Sequence, residues 1–238
     1  MKESNIWLIN LPHAGGSSTV FKGWNKGIRC KVLNIEYPGH WTRMKEPLIS
    51  SFDKLAEDVV QLIQEKIQIP ADICLFGHSL GAIISWWIAP VLKRIGYNIR
   101  YMYLSASQSP NFFPEKSIVD AVSDIDKLKL IGYDMENYSQ KINEQFIKTF
   151  FPILDNDLNI CKSFVSDDHY VDVEAFVFYG ENDELIEENK LITWENYVNL
   201  ITICKFAGKH LYLEDESNRK TLIEIINRNL EKVYGAEV

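Results

Sequence analysis

The sequence is poor in clustered positive charge and in long hydrophobic runs. No basic run exceeds two residues and the net charge is −8, so the chain lacks the basic patch that nucleic-acid binding requires. Nowhere does it have the roughly 18 consecutive apolar residues that indicate a membrane-spanning helix. The first residues lead directly into a strand-like run, without a signal-peptide pattern. We therefore expect a cytoplasmic protein that binds neither nucleic acid nor a membrane.

Cysteine is scarce, and its spacing argues against a structural metal. The four cysteines lie far apart, and the sequence has no C-x-x-C pair or Cys/His ligand spacing. It also lacks the G-K-[ST] and G-x-G-x-x-G motifs of phosphate-binding loops. We expect reduced thiols, no bound metal and no cofactor.

Strand-like and helix-like segments alternate along the chain. Short apolar runs are separated by segments of helical periodicity, such as residues 52–67 and 222–233. This alternation predicts an α/β fold in which a mostly parallel sheet is flanked by helices on both faces. We expect residues 1–238 to form a single domain, which is usual for an α/β chain of this length. Residues 111–170, approximately, show no strand but helix-like fragments, the first with Ile125 and Leu128 and the second with Tyr138, Ile142, Phe146 and Phe150. We interpret them as a helical lid insertion.

Local signals also predict helix boundaries. Ser50 and Asp53 form a plausible capping box at the start of one helix. Pro90 is expected to kink or end the next helix. A later helix is predicted to run through Trp194 and Val198.

The stretch from residue 73 to residue 88 contains the clearest chemical signal. An apolar run ends in Gly77-His-Ser-Leu-Gly81, the G-x-S-x-G pattern, and an almost wholly apolar helical segment follows. This pattern is typical of a nucleophile elbow, in which a strained strand-to-helix turn exposes the serine hydroxyl. Glycines are needed because a β-carbon would crowd the neighbouring strand or helix. Ser79 is thus a candidate nucleophile; the alternative is a turn whose serine only caps the helix.

Two later loops supply the partners that a serine nucleophile needs. Asp183 and His210 each follow a strand-like run, and the carboxyl ends of parallel strands meet at one edge of a sheet. The order Ser, Asp, His is that of the α/β-hydrolases. His210 would take the proton of Ser79, and a buried carboxylate would orient its ring. Asp183 is the favoured acid, and the alternatives are Glu181, Glu184 and, more remotely, Asp168.

Attack on an acyl group also needs backbone donors for the developing oxyanion. The N–H of Leu80, directly after the nucleophile, would be the first. The second is expected from the loop Pro12-His-Ala-Gly-Gly16, where two glycines let the backbone approach closely. The alternative is that this loop is an ordinary turn. His13 and His40 lie in loops at the same edge, where a structural role is favoured over substrate contact, and His169 is expected to be exposed.

Several motifs together resemble one family over nearly the whole chain. They are Asn10-Leu-Pro-His-Ala-Gly-Gly-Ser17, Phe21 and Trp24, Tyr37-Pro-Gly39 with Arg43 and Glu46-Pro47, Gly77-His-Ser-Leu-Gly-Ala82, Gly180-x-x-Asp183, and Gly208-Lys-His-Leu-Tyr-Leu213. In these the chain resembles the type II thioesterases, the stand-alone editing hydrolases of nonribosomal peptide and polyketide synthesis. Two departures are Lys209, where the family usually has glycine, and Asp155, where arginine is common.

The resemblance implies an α/β-hydrolase fold and a Ser79–His210–Asp183 triad. It also implies that the backbone N–H groups of Ala14 and Leu80 form the oxyanion hole. The implied reaction is hydrolysis of acyl or aminoacyl thioesters on the phosphopantetheine arm of carrier proteins, by a monomer that binds its partner transiently.

Two other functions stay open at this point. The same chemistry would serve a free-standing esterase or amidase acting on a small soluble substrate. A non-catalytic binding member of the fold is a more remote alternative, since no triad residue is missing. The aromatic residues Phe112, Phe113, Phe146, Phe150 and Phe151 are predicted either to line an acyl channel or to anchor the lid on the sheet.

Overall fold

The computed structural model describes residues 5–114, 127–128 and 140–235, and side chains are not described for residues 140–147. It contains six strands: β1 (Ile6–Leu11), β2 (Lys31–Asn34), β3 (Ala71–His78), β4 (Tyr97–Ser105), β5 (Val171–Gly180) and β6 (Val198–Phe206). The α-helices in the described residues are α1 (Phe52–Lys66), α2 (Leu80–Ile95), α3 (Gln140–Ser163) and α4 (Glu216–Gly235).

The six strands form one sheet in the order β2-β1-β3-β4-β5-β6, and every neighbouring pair is parallel. The chain moves from β1 outward to β2 and then returns to place β3 on the other side of β1. This reversal leaves a crevice at the carboxyl ends of β1 and β3, the place where α/β sheets bind ligands. The predicted mostly parallel α/β sheet is confirmed.

The two faces of the sheet bury alternate residues of the same strand, as period-two geometry requires. In β3, Leu75 belongs to a hydrophobic cluster shared with α1, α2 and α3. Its neighbour Phe76 belongs to a second cluster, shared with α4 and the short 3₁₀ helices after β1. Because both faces are covered, the central strands β1, β3, β4 and β5 are buried along most of their length, whereas the edge strand β6 is largely exposed.

Two predictions of helix boundaries were wrong. Helix α1 begins at Phe52 with Ser51 as its N-cap residue and no side-chain capping bond, so the proposed capping box does not form. The segment Glu188–Asn196 is a 3₁₀ helix rather than an α-helix, and Val198 already belongs to β6.

Helix α2 continues through Pro90 to Ile95. A proline in a helix leaves the carbonyl four residues earlier without its usual donor. That carbonyl, of Trp86, lies 3.4 Å from Nε2 of His169, and the imidazole stacks on the Trp86 ring at 3.8 Å. His169 is therefore half-buried rather than exposed, and its Nε2 lies near the carbonyl that the proline leaves without a backbone donor.

Of the predicted lid at residues 111–170, the structure describes 111–114, 127–128 and 140–170. Helix α3 corresponds to the second helix-like fragment, and no strand occurs among these described residues. Ile125 and Tyr138, which belonged to the predicted fragments, lie outside them. The interpretation of 111–170 as one lid, and of 1–238 as one domain, stays a prediction.

Candidate active site

Ser79 occupies a sharp turn between β3 and α2. Its backbone has φ 55° and ψ −117°, a conformation that a residue with a side chain rarely adopts. A β-carbon on Gly77 would lie 2.1 Å from the Gly81 oxygen, and one on Gly81 would lie 2.3 Å from the Leu11 oxygen. Both glycines are thus required by close backbone approach, as the sequence pattern predicted.

Asp183 and His210 lie on the loops that follow β5 and β6. Oδ2 of Asp183 accepts a hydrogen bond from Nδ1 of His210 at 2.8 Å, and both side chains are buried. Oδ1 of Asp183 accepts a second bond, from the Leu185 N–H at 3.0 Å. Because a carboxylate only accepts, His210 carries its proton on Nδ1, and Nε2 is the basic nitrogen of the neutral ring.

The competing acids lie elsewhere. Glu181 and Glu184 flank Asp183 in the chain but are exposed. Asp168 is also exposed, and its Oδ1 accepts hydrogen bonds from the hydroxyl groups of Tyr197 and Ser166. Of the four carboxylates considered from sequence, Asp183 is the one that the structure joins to His210.

Backbone contacts bring the loops of Asp183 and His210 together. A β-carbon on Gly180 would lie 2.4 Å from the Lys209 oxygen, so only glycine fits at the end of β5. The N–H of Asn182 donates to the Gly208 oxygen at 2.9 Å, and Gly208 itself has φ +116°. These contacts hold the Gly180-x-x-Asp183 and Gly208-x-His210 loops against each other.

His210 belongs to a group of three packed imidazoles. The ring of His78 lies 5.3 Å from that of His210 and 5.7 Å from that of His13. Burial, together with the charges of His210 and His40, lowers the pKa of His13 to about 3. Burial also lowers the pKa of His78 well below its usual value, with His210 and His13 contributing. Within this group, His210 is the imidazole with a carboxylate to stabilise its cation.

The loop after β1 lies against the start of α2. The contact between Gly81 and the Leu11 and Pro12 oxygens fixes this approach, and the Tyr37 hydroxyl donates to the Pro12 oxygen at 2.9 Å. Leu80 is the first residue of α2, and N–H groups in the first turn of a helix have no partner within that helix. The structure therefore places the two predicted oxyanion donors, Ala14 and Leu80, on adjoining segments.

A cavity of about 640 Å³ opens beside this loop. It lies between the loops that follow β1 and β2 and one face of α3, and it is lined by His13, Gly15, Gly16, Ser17, Thr19, Val20, Gly39, His40, Trp41, Met44, Thr149, Phe150, Ile153 and Glu214. Trp41 and Met44 are largely exposed. The cavity has the size and mixed lining of a small-molecule site.

The aromatic residues that were predicted either to line an acyl channel or to anchor the lid on the sheet lie in different surroundings. Phe150 lines the cavity, whereas Phe113 and Phe151 are buried in the hydrophobic core. Phe112 is exposed beneath the Lys190 ammonium group, and the side chain of Phe146 lies outside the described residues.

Sequence reasoning missed one buried polar group, Asp157 of α3. Its Oδ2 accepts a bond from the Gly15 N–H at 2.7 Å and lies 3.0 Å from Nε2 of His40. His40, for which a structural role was favoured over substrate contact, bonds this partner 117 residues away, and it also lines the cavity. The sequence feature that could have indicated this contact is the presence of an acidic residue on the apolar face of α3.

In the described part of the chain, no three His, Cys, Asp or Glu side chains come together as a metal site. None of the helices in that part has a stretch that a lipid bilayer would accommodate as a span. None of the four cysteines forms a disulfide.

Comparison with known proteins identifies the family. The family model described as "Thioesterase domain" matches residues 7–230. Thioesterase PikA5 of Streptomyces venezuelae is 25% identical over 220 residues, which cover 90% of this chain and 77% of that protein. Gramicidin S biosynthesis protein GrsT of Aneurinibacillus migulanus is 24% identical over 243 residues, covering 99% and 93% respectively.

Solved structures show the same fold. ClbQ from the colibactin NRPS/PKS pathway superimposes with a TM-score of 0.86 at 21% identity, covering 98% of this chain and all of that one. The type II thioesterase BorB from the borrelidin cluster gives 0.81 at 24% identity, covering 97% and 94%. The parallel sheet flanked by helices is thus the α/β-hydrolase fold, and the chain belongs to the thioesterase domain family.

Proposed function

We propose that this protein hydrolyses acyl or aminoacyl thioesters carried on the phosphopantetheine arm of carrier proteins, and so regenerates the free thiol of the arm. The observation that carries the proposal is the buried hydrogen bond between His210 and Asp183, at the same sheet edge as the strained turn of Ser79. The relatives support the substrate class, since GrsT is named for gramicidin S biosynthesis and ClbQ for an NRPS/PKS pathway.

In the first half of the reaction, Ser79 is the nucleophile. Its Oγ attacks the thioester carbonyl carbon while Nε2 of His210 takes the hydroxyl proton. Asp183 stabilises the imidazolium that results and holds the ring in the required tautomer. The tetrahedral intermediate then expels the pantetheine sulfur, which leaves readily as a thiolate and takes up the proton from His210 as the free thiol.

The backbone N–H groups of Ala14 and Leu80 stabilise the oxyanion of that intermediate. Fixed donors of this kind are effective because they need no reorganisation as charge develops. In other hydrolases the loss of one such donor costs about 3 kcal/mol of transition-state stabilisation.

In the second half, water releases the acyl group. His210 takes a proton from the water molecule, the resulting hydroxide attacks the acyl-Ser79 carbonyl, and His210 returns the proton to Ser79 Oγ. The products are a carboxylic acid and the free enzyme. Side chains and backbone groups of this chain suffice for every step, so the proposed reaction uses no cofactor.

The cavity beside the β1 loop is the proposed site for the acyl group or the pantetheine arm. Its apolar lining includes Phe150, Ile153 and Met44, and it opens to solvent near the exposed Trp41. We expect a monomer that acts in the cytoplasm and binds its carrier protein transiently.

The test compares three substrates: acyl-loaded carrier protein, the corresponding acyl-CoA and a simple nitrophenyl ester. We expect the highest kcat/KM for the loaded carrier protein, measured by mass spectrometry before and after adding the enzyme. Equal or better turnover of the nitrophenyl ester would contradict the carrier-protein substrate and favour a free-standing esterase. Replacement of Ser79 by Ala should lower kcat about 10⁶-fold. If the kcat of this variant stayed within about tenfold of the wild-type value, Ser79 would not be the nucleophile, and both the thioesterase and the esterase would be ruled out.

A further inference from the structure

Asp157 lies on α3, far from Ser79 in sequence, and is almost completely buried. Its Oδ2 receives two donors, the Gly15 N–H at 2.7 Å and Nε2 of His40 at 3.0 Å. Its Oδ1 accepts a weaker bond from Asn156 at 3.2 Å. A buried carboxylate is stable only when it is paired and hydrogen-bonded, so both contacts of Oδ2 matter to this side chain.

The hydrogen bonds of His40 fix its charge. Its Nδ1 lies 3.0 Å from the Pro38 carbonyl oxygen, which can only accept, so Nδ1 carries a proton. Its Nε2 faces the Asp157 carboxylate and donates as well. Burial acts to lower the pKa of His40, but the bond and charge of Asp157, the Pro38 carbonyl and Glu36 outweigh burial and raise it. His40 and Asp157 therefore form a buried ion pair.

Other titratable groups also face His40. Glu36 and Tyr37 lie on its own loop, and the Tyr37 ring packs edge-on at 5.7 Å. His13 approaches from the β1 loop and is uncharged, since its pKa is lowered by burial to about 3. Glu214 lines the same cavity, and burial raises its pKa.

The loop held by this pair is the one that carries Ala14. Gly15 has φ +72°, and a β-carbon there would lie 3.0 Å from Leu154 of α3, so the helix packs directly on the loop backbone. The Gly15 N–H is bound to Asp157, and the Gly16 N–H donates to the His13 oxygen at 2.9 Å. Two consecutive N–H groups are thus fixed, which also fixes the direction of the Ala14 N–H before them.

We propose that Asp157 and His40 are positioning residues, and that their ion pair holds the Gly15 N–H and so aims the Ala14 N–H at the oxyanion. This inference rests on the proposed function. It assigns to α3 a role in transition-state stabilisation, in addition to covering the cavity. An asparagine at this position removes the negative charge of the ion pair, and in either orientation its amide nitrogen faces a donor that the carboxylate accepts, either Asn156 or the Gly15 N–H and His40.

The decisive variant is Asp157→Asn, assayed on the acyl-pantetheine that the wild type hydrolyses fastest. We expect kcat to fall about 10²-fold, the effect of misplacing one oxyanion donor, with KM changed less than about threefold. One matched control is Asp155→Asn, a change on the same helix as Asp157 that removes an ion pair with Lys127. The other is Leu230→Ala, which opens a cavity on the opposite face of the sheet. Both controls should keep the wild-type kcat although Leu230→Ala lowers the Tm.

A binding measurement separates positioning from a general loss of structure. A trifluoromethyl ketone analogue of the substrate forms a hemiketal oxyanion with the serine, whereas the matching amide analogue does not. Asp157→Asn should weaken binding of the ketone analogue by the same factor by which it lowers kcat/KM, and it should leave the affinity for the amide analogue unchanged. Equal weakening of both analogues, or loss of kcat only in proportion to loss of Tm, would overturn the inference.

If Asp157→Asn fails to fold, His40→Gln provides the second test, since it leaves the carboxylate bound to Gly15. In the wild type, kcat should fall at alkaline pH as His40 releases its proton, whereas in His40→Gln this alkaline fall in kcat should be absent. The same alkaline fall in both proteins would contradict the proposal. An inactive wild type, or an active Ser79→Ala, would instead refute the proposed function, so the two failures are distinguishable.

Discussion

The two sides of the site are held in different ways. On the β5–β6 side, comprising residues 181–185 and 207–211, the loops are held by backbone: Gly180 packs on the Lys209 oxygen, and Asn182 N–H binds the Gly208 oxygen. On the β1–β2 side, comprising residues 12–17 and 35–44, a backbone contact at Gly81 is supplemented by a charged side chain of a helix outside the sheet, Asp157.

This difference separates two requirements of the reaction. The β5–β6 side must hold a proton acceptor in one tautomer, and backbone contacts do this without any charge of their own. The β1–β2 side must leave N–H groups available for a developing charge, so its loop cannot satisfy all of its own donors. An external carboxylate can fix such a loop by one N–H while leaving its neighbour available. We therefore expect the β5–β6 side to be sensitive to steric change and the β1–β2 side to be sensitive to charge.

The largest expected effect is on the β5–β6 side. Asp183→Asn should lower kcat about 10⁴-fold, because an amide no longer fixes the His210 tautomer or stabilises the imidazolium. The controls are Glu181→Gln and Glu184→Gln, whose side chains are exposed, and both should retain wild-type kcat. A loss in either control comparable to that of Asp183→Asn would mean that the acid has been misassigned.

The next effect tests whether backbone contact alone holds the β5–β6 side. A β-carbon at Gly180 would lie 2.4 Å from a carbonyl oxygen, so Gly180→Ala must push the two loops apart. We expect kcat to fall about 10²-fold, in line with an approximately 1 Å misplacement of catalytic groups. Gly235→Ala is the control, because no atom lies within 4 Å of its added carbon. Wild-type kcat in Gly180→Ala would show that the loops tolerate separation.

The sequence predicted the β5–β6 side better than the β1–β2 side for a physical reason. Ser79, Asp183 and His210 each follow an apolar strand, and the parallel-sheet rule places such loops at one edge without knowledge of any side-chain contact. The close packing of Gly77 and Gly81 was also predictable, since G-x-S-x-G implies a tight turn.

The link from Asp157 to Gly15 spans 142 residues and depends on where α3 lies, which no local pattern specifies. Helix α2 continues past Pro90, where an end or a kink was predicted, and Nε2 of His169, 83 residues from Trp86, lies 3.4 Å from the freed carbonyl. Local rules therefore predict elements and loops, whereas a contact between distant segments provides the support of the β1–β2 side.

A smaller effect is expected at the cavity wall of the β1–β2 side. Phe150 lines the cavity while its neighbour Phe151 is buried in the core. Phe150→Ala should change the ratio of kcat/KM between long and short acyl groups by about tenfold, since each lost methylene contact changes discrimination by about 1–3 kcal/mol. Phe151→Ala should instead lower the free energy of unfolding by about 3–5 kcal/mol without changing that ratio. The reverse pattern would assign the acyl wall to Phe151.

The smallest expected effect comes from the charge of His40 on the β1–β2 side, and it is measured as a change in the free energy of unfolding rather than in activity. The pKa of His40 is raised in the folded protein by Asp157, so the folded state binds a proton more tightly than the unfolded chain. This contribution is complete below the unfolded pKa of about 6.5 and is lost as pH rises through the raised folded pKa. The free energy of unfolding of the wild type minus that of His40→Gln should therefore shrink as pH increases, with other groups cancelling in the difference.

This difference is obtained from urea unfolding of both proteins. One pKa unit corresponds to about 1.4 kcal/mol, so the total change in the difference between pH 6 and the alkaline plateau measures the pKa shift of His40. A difference that is constant or grows with pH would mean that His40 is neutral in the folded protein, and that the β1–β2 side is held by hydrogen bonds without an ion pair.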